Sequence, residues 1–435
     1  MIPIMPDTTP QPGEAEADPN AIARHSAPRA HRDAPLRDSL SPAQKKWIVV
    51  VLALVMFTHI MDFMVLMPLG PRLMVLFQIN PQQFSFLVSI YSFTAGIFGF
   101  LGSLIFDRLD RKHALVGAYI GFLTGTFTCA LTPSFAFLLF ARALSGAFGG
   151  LLSGICFAII GDVFSIHERG AATGKLMTSF SLAAIVGVPV GLLFANRYGW
   201  HAPFFVIVTL GLIALFSAIK IVPNVRSHLQ SHYSGIFAGI TENLGDLNSR
   251  TALLTTFMMV LSQFVVIPFI SPYIVANAGF PEDQLPLLYL LGGMMTAFTG
   301  PLMGKWCDRT NPTLIFTRMG LLFLIPVFIL TRLGVVAPIW VLVVSTAFFV
   351  LSNTRMVPAM TIISSSIPPS RRGSFMSLNS CIQQLGSATA SFIGGWVVTQ
   401  TPGTFYLTGF SNTFYLSATF GLLAYIFGRR IRMIS

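Results

Sequence analysis

Residues 102–112 read Gly102-Ser103-Leu104-Ile105-Phe106-Asp107-Arg108-Leu109-Asp110-Arg111-Lys112, a long apolar run that breaks into a dense knot of charge. A knot of this kind belongs at a membrane surface, where charged loops flank apolar spans. About two hundred residues later the chain repeats the device as Gly304-Lys305-Trp306-Cys307-Asp308-Arg309. A second echo has nearly the same offset: His167-Glu168-Arg169-Gly170 returns as Ser370-Arg371-Arg372-Gly373.

The totals agree with a membrane setting. Of 435 residues, 54% are hydrophobic and only 10% are charged, against about 25% charged in soluble domains. The net charge of +11 does not indicate a nucleic-acid binder, whose basic residues cluster on a soluble face. Here they punctuate apolar segments, as orienting charges do. The four cysteines, Cys129, Cys156, Cys307 and Cys381, have no metal-ligand spacing and sit in or beside apolar runs. They read as small packing residues, so no disulfide, metal or cofactor is expected. Residues 1–45 lack a signal-type apolar core and are rich in Pro, Ala and charge, the composition of a disordered cytoplasmic tail.

Runs of roughly 20 apolar residues can cross about 30 Å of hydrocarbon as helices. The expected spans are 47–69, 84–106, 113–131, 136–160, 171–195 and 202–222, then 252–275, 285–303, 313–330, 338–363, 375–398 and 411–427. The fold class expected is an all-α membrane protein, with twelve transmembrane helices in two pseudo-symmetric six-helix bundles. The bundles occupy residues 46–222 and 251–435, the second ending in a short cytoplasmic tail, with a cytoplasmic linker at 223–250. Sorting Lys and Arg between alternate loops puts nearly all on the side of the N-terminus and leaves only Arg72, Arg197 and Arg332 opposite. Both termini are therefore expected in the cytoplasm. Two echoes in register mean a six-helix unit duplicated in the same orientation, the parallel repeat of a two-bundle transporter.

Asp62 is the acidic residue placed well inside a span. Translocon scales set that at about 2.5–3.5 kcal/mol for a helix centre, so it reads as functional or as the neutraliser of a nearby cation. Arg142 of the fourth span is the natural partner. Counting about 1.5 Å per residue, both reach the outer half of a core about 30 Å thick. An arginine favours the ionised carboxylate, and separating the two favours proton uptake. His59, one turn before Asp62, either shares the proton or is a satisfied buried histidine. Arg355 in the tenth span has no obvious carboxylate in the second half. It reads as an anchor for an anionic substrate or as a donor to helix carbonyls. Asn353, its neighbour, and Gln263, Asn379, Gln383 and Gln384 add cavity polarity or interhelical hydrogen bonds. In the fifth span, Gly187-Val188-Pro189-Val190-Gly191 combines small residues for close helix approach with a proline that frees a carbonyl and bends the helix. Pro268 and Pro272 are further kink positions or plain packing residues. No phosphate-binding G-x-x-x-x-G-K-[ST] loop, metal cluster or nucleophile elbow is in a credible setting. The protein is not expected to be an enzyme, and energy has to come from an ion gradient or the substrate's own.

From residue 47 to 430 the chain resembles the major facilitator superfamily. Residues 102–112 look like its signature loop G-x-L-x-D-R-x-G-R-[KR], with Ser103 where the first glycine belongs, Gly102 one step early and Asp110 in place of the second. Arg142, Gly146, Gly149 and Gly150 look like the R-x-x-x-G-x-x-G-G element of the fourth helix, whose arginine the resemblance implicates in proton coupling. Gly187, Pro189 and Gly191 resemble the fifth-helix motif of the twelve-span drug:proton antiporters and their sugar-efflux-permease-like relatives. The resemblance further implies a cytoplasmic gate in which Asp107, Arg108 and Arg111 meet Asp162 and Arg169, echoed by Asp308 and Arg309.

The function expected is secondary active transport by alternating access: proton-coupled efflux of a small drug-like or sugar-like compound by a multi-pass monomer of the bacterial inner (plasma) membrane. Its partners are substrate, protons and the lipid bilayer, not nucleic acid. The rivals are uptake of a metabolite or siderophore-like anion held by Arg355, and a membrane receptor or scaffold, which has no need of Asp62 and Arg142.

Overall fold

A computed structural model describes residues 40–106, 109–225, 236–368 and 371–433. Sixteen helices are described, in chain order α1 (Pro42–Val65), α2 (Gly70–Leu76), α3 (Pro81–Phe106), α4 (Arg111–Ala130), α5 (Phe135–Val163), α6 (Ile166–Leu182), α7 (Val188–Tyr198) and α8 (Ala202–Ile221), then α9 (Ile236–Gly245), α10 (Leu247–Phe264), α11 (Ile270–Ala276), α12 (Leu285–Cys307), α13 (Pro312–Leu330), α14 (Pro338–Ser365), α15 (Arg372–Val397) and α16 (Asn412–Arg430). The helices α6 and α7 form one span, as do α10 and α11; with the short α2 and α9 set aside, twelve spans remain in two six-helix bundles. Ten of the twelve are both long and apolar enough to cross a bilayer. The other two, α15 and α16, have 26 and 19 residues, or about 39 and 28 Å at 1.5 Å per residue; a polar stripe through Asn379, Gln383 and Gln384 dilutes the first.

Local chemistry sets where the spans begin and bend. At the start of α1, Ser41 Oγ accepts from the Gln44 amide at 3.2 Å and Gln44 Oε1 accepts from the Ser41 amide at 2.9 Å, a capping box with Pro42 in the first turn. At the start of α4, Asp110 Oδ1 accepts from the Lys112 amide at 2.9 Å and from the Val225 amide at 3.2 Å. The residue that replaces a glycine of the signature is thus an N-cap that also ties down the chain leaving α8. In the fifth span, Pro189 has no amide to donate back one turn, and the helix widens into a π-turn over Ala183–Gly187 just before it. In the seventh span, Pro268 lies in a 3-10 turn over Ile267–Phe269 that separates α10 from α11.

The bundles touch along two seams, α3 against α15 and α6–α7 against α12. Around the second, a Cβ on Gly293 of α12 would lie 2.8 Å from the Ala184 carbonyl carbon, so only a glycine admits the π-turn there. The end of the molecule where the Lys- and Arg-rich loops lie is called the basic end below, and the opposite one the far end. At the far end a hairpin of β1 (Thr399–Gln400) and β2 (Leu407–Thr408) pairs antiparallel, Thr399 with Thr408 and Gln400 with Leu407. Asn277 holds it through both backbone groups of Leu407, at 2.8 and 3.0 Å.

Candidate functional site

Four spans of the first bundle converge on Asp62. Arg142 Nη1 of α5 donates to Asp62 Oδ2 at 2.7 Å, and Thr126 Oγ1 of α4 donates to Asp62 Oδ1 at 3.2 Å. Asp62 is 0% exposed and Arg142 1%. Two ions this dry pay a large desolvation cost, met only by mutual attraction and good hydrogen bonds. On the other face of the guanidinium lies Tyr91 of α3, with Arg142 Cζ 4.2 Å from the ring centroid. The Tyr91 hydroxyl is 3.0 Å from His59 Nδ1, so His59 bonds to Tyr91 and reaches the pair through it.

The glycines of α5 make this cluster possible. A Cβ on Gly146 would lie 2.4 Å from the Tyr91 carbonyl oxygen, and one on Gly150 2.2 Å from that of Ala95. On Gly149 it would meet the Tyr91 hydroxyl at 2.8 Å and His59 Nδ1 at 3.0 Å. The three bare positions let α3 and α5 approach backbone to backbone and leave space for the His59–Tyr91 contact. Behind the pair, a Cβ on Gly187 or on Gly191 of the fifth span would lie 3.2 Å from the Met61 side chain, next to Asp62.

The other expected site residues go to separate places. Arg355 is fully buried inside the second bundle. It donates to Ser262 Oγ and Tyr425 Oη at 3.3 Å and to the Met259 carbonyl at 3.4 Å, and its guanidinium stacks on Phe323 at 3.8 Å. Asn379 accepts from Thr256 Oγ1 at 2.6 Å, joining α15 to α10. Asn353 is exposed and lines an open groove with Met356, Met360, Ser364 and Met376. Gln263 and Gln383 are half-buried.

At the basic end Arg111 Nε lies 3.3 Å from Asp162 Oδ2. Arg169 donates to the carbonyls of Phe164 and Gly161, capping the end of α5. Lys45 pairs with Glu168 at 3.0 Å. Asp107 and Arg108 lie outside the described residues, and Asp308 and Arg309 are exposed.

At the far end a further network joins the bundles. Arg72 pairs with Glu282 across the seam and donates to the Ala195 carbonyl and Asn196 Oδ1, each at 2.7 Å. Asn196 in turn donates to the Asp283 carbonyl at 3.4 Å. Below it, a Cβ on Gly395 would lie 1.8 Å from Ser85 Oγ, so α15 and α3 are pressed together and the far end is closed. Arg72 stood out in the sequence as one of three cations among the far-end loops. Tyr91 carried no comparable signal.

The sequence profile of the Major Facilitator Superfamily matches residues 52–350 and 252–433, nearly the whole described chain. The chain belongs to that superfamily. As a member it is a multi-pass secondary transporter of the membrane. The transporter is 26% identical over 369 residues to the MFS-type transporter YceJ of Bacillus subtilis (strain 168), covering 83% of this chain and 92% of that one. It is 26% identical over 324 residues to the inner membrane transport protein YajR of Escherichia coli (strain K12), covering 71% and 68%. A 199-residue stretch is 31% identical to the multidrug resistance protein fnx1 of Schizosaccharomyces pombe (strain 972 / ATCC 24843), 44% of this chain and 36% of that one. Among solved structures, its fold matches a D-xylose-proton symporter at a TM-score of 0.73 and 17% identity, over 89% of this chain and 97% of that one.

Proposed function

We propose that this transporter couples proton entry to the efflux of a small organic compound, with Asp62 carrying the proton and Arg142 controlling when it does so. The observation that carries the reading is the ion pair at 2.7 Å with both partners at most 1% exposed. A carboxylate in so dry a place stays charged only while its cation stays with it. A movement that draws Arg142 away leaves a proton as the cheapest neutraliser, and the return of Arg142 expels it. With no phosphate-binding loop in the sequence, a gradient is the energy source.

The basic end is assigned to the cytoplasm of a bacterial inner membrane by the excess of Lys and Arg there. On that assignment the closed far end faces the outside. Arg111, Asp162 and Arg169, with Asp107 and Arg108, are assigned to the cytoplasmic gate, and Gly187, Pro189 and Gly191 to the flexing seam beside Asp62. The open groove beside Asn353, rich in methionine, offers no charge to an anion. Anion uptake needs a free cation, whereas Arg355 is committed to Ser262, Tyr425, the Met259 carbonyl and the Phe323 ring. A drug-like substrate is in keeping with the relative named for multidrug resistance.

The test is flux of ethidium, as an aromatic cation, and of arabinose, as a sugar, in proteoliposomes under an imposed pH gradient. Protein with the native pair is expected to move at least one probe against its gradient, toward the acidic compartment. Asp62→Asn should abolish that while leaving exchange down a gradient intact. Full pH-driven transport by Asp62→Asn refutes the assignment.

A further inference from the structure

Tyr91 joins the buried pair to the contacts between the two bundles. Phe63, the residue after Asp62, lies against Phe264 at the end of α10, ring centroids 6.2 Å apart. On α3, Ser92 Oγ lies 3.3 Å from Ser387 Oγ of α15. Tyr91 adjoins both. Its ring is 5.5 Å from that of Phe63, it precedes Ser92 on α3, and its opposite neighbour is the Arg142 guanidinium.

Two features make Tyr91 more than filler. It is 0% exposed and lies against the glycines of α5, so a shift of α3 carries it along. Arg142 Nη1 bonds to Asp62, while Arg142 Nε has no hydrogen-bond partner among the described residues. Beside the bonds to Asp62 and the Cys129 thiol, the Tyr91 face adds a contact across the guanidinium plane, a cation–π contact strengthened by desolvation.

We propose that Tyr91 is the positioning residue through which the movement of the bundles reaches the Asp62–Arg142 pair. While Phe63 rests on Phe264, the ring keeps Arg142 on Asp62. When the far end opens, Phe63 and Tyr91 shift together and the guanidinium loses its platform. A proton from the aqueous side then binds a carboxylate oxygen of Asp62, and Arg142 keeps its charge. This rests on the proton-coupling reading above. The titratable groups around Asp62 are Arg142, His59, Tyr91 and the Cys129 thiol beside Arg142, with Tyr119 behind them on Thr58.

The test uses the full chain in nanodiscs, with spin labels at Tyr198→Cys and Thr404→Cys, exposed far-end positions of opposite bundles. Far-end opening is read as an interlabel distance across a pH series, with no substrate needed. The parent should open with a defined midpoint, and Asp62→Asn should lose the pH response. Tyr91→Leu should move the midpoint by about one pH unit, a tenfold change in proton concentration. Tyr91→Phe, which keeps the ring, should stay within about twofold of the parent. Phe63→Leu, which leaves Tyr91 in place, should move the midpoint as Tyr91→Leu does.

If Tyr91→Leu and Phe63→Leu keep the parent's midpoint while Asp62→Asn loses the response, the relay is wrong and the coupling reading stands. If Tyr91→Phe behaves as Tyr91→Leu, the hydroxyl and not the ring is responsible, and the proposal fails. A parent insensitive to pH, or an Asp62→Asn protein that responds like it, overturns the coupling reading and the proposal with it.

Discussion

Replacing Arg72 by alanine should release the far end. Arg72 pairs with Glu282 across the seam and holds Asn196, which donates to the Asp283 carbonyl of the other bundle. The side chains of the pair are 28% and 34% exposed, so solvent screens the attraction and the pair contributes about 1 kcal/mol at most. The Asn196–Asp283 bond loses its aim without Arg72 and contributes about another 1 kcal/mol. Together, at most about 2 kcal/mol favours closure, or up to roughly 30-fold in the ratio of closed to open molecules. Ser85, fully buried under Gly395 at the other seam, α3 against α15, is the reporter of far-end opening. In Ser85→Cys protein a maleimide reacts in proportion to the open population, so adding Arg72→Ala should raise the rate several-fold, up to about 30-fold. The buried Cys156 of the first bundle should react no faster, which separates opening from unfolding. A rate within about twofold of the parent refutes the reasoning, because the network then carries no closing free energy.

Three further outcomes are expected. Gly150→Ala should lower the thermal midpoint in detergent, since its Cβ would meet the Ala95 carbonyl oxygen at 2.2 Å, whereas Gly154→Ala, with nothing within 4 Å, should not; the overpacking cost is about 1–3 kcal/mol. Arg142→Met should destabilise by about 3–5 kcal/mol in denaturant titrations because it strands Asp62, whereas Arg355→Met, with no carboxylate paired to it among the described residues, should stay within about 1–2 kcal/mol. The third concerns the cap of α10. Burial pushes the Asp246 carboxyl up, but the Ser249 hydroxyl and amide, the Asn248 amide and the Arg371 charge together hold it below its usual range. Its contribution is therefore full above the unfolded value of about 4 and fades as pH falls through the folded one. Asp246→Ala should cost about 1 kcal/mol at neutral pH, with the difference from the parent shrinking in acid.

The sequence by itself determined the fold class and the membrane setting. Long apolar runs have few ways to satisfy their backbone groups in lipid, and helices are the simplest. The duplicated loop at residues 102–112 and 304–309 then fixed the number and arrangement of the bundles. The sequence also marked Asp62 and Arg142 as candidates, because ionised groups in hydrocarbon are costly. What it left open for Arg355 was a matter of rotation. A helix carries a cation toward the cavity or into the bundle with little difference in local pattern, and only the packing of α10, α13, α14 and α16 turned Arg355 onto Phe323 and Tyr425. The same holds for Tyr91, an aromatic residue among many until α3 was set against the bare glycines of α5. The Arg72–Glu282 contact spans about two hundred residues of sequence. Depth in the membrane and charge are local properties that a chain states directly, whereas the direction a side chain faces is decided when all the helices pack.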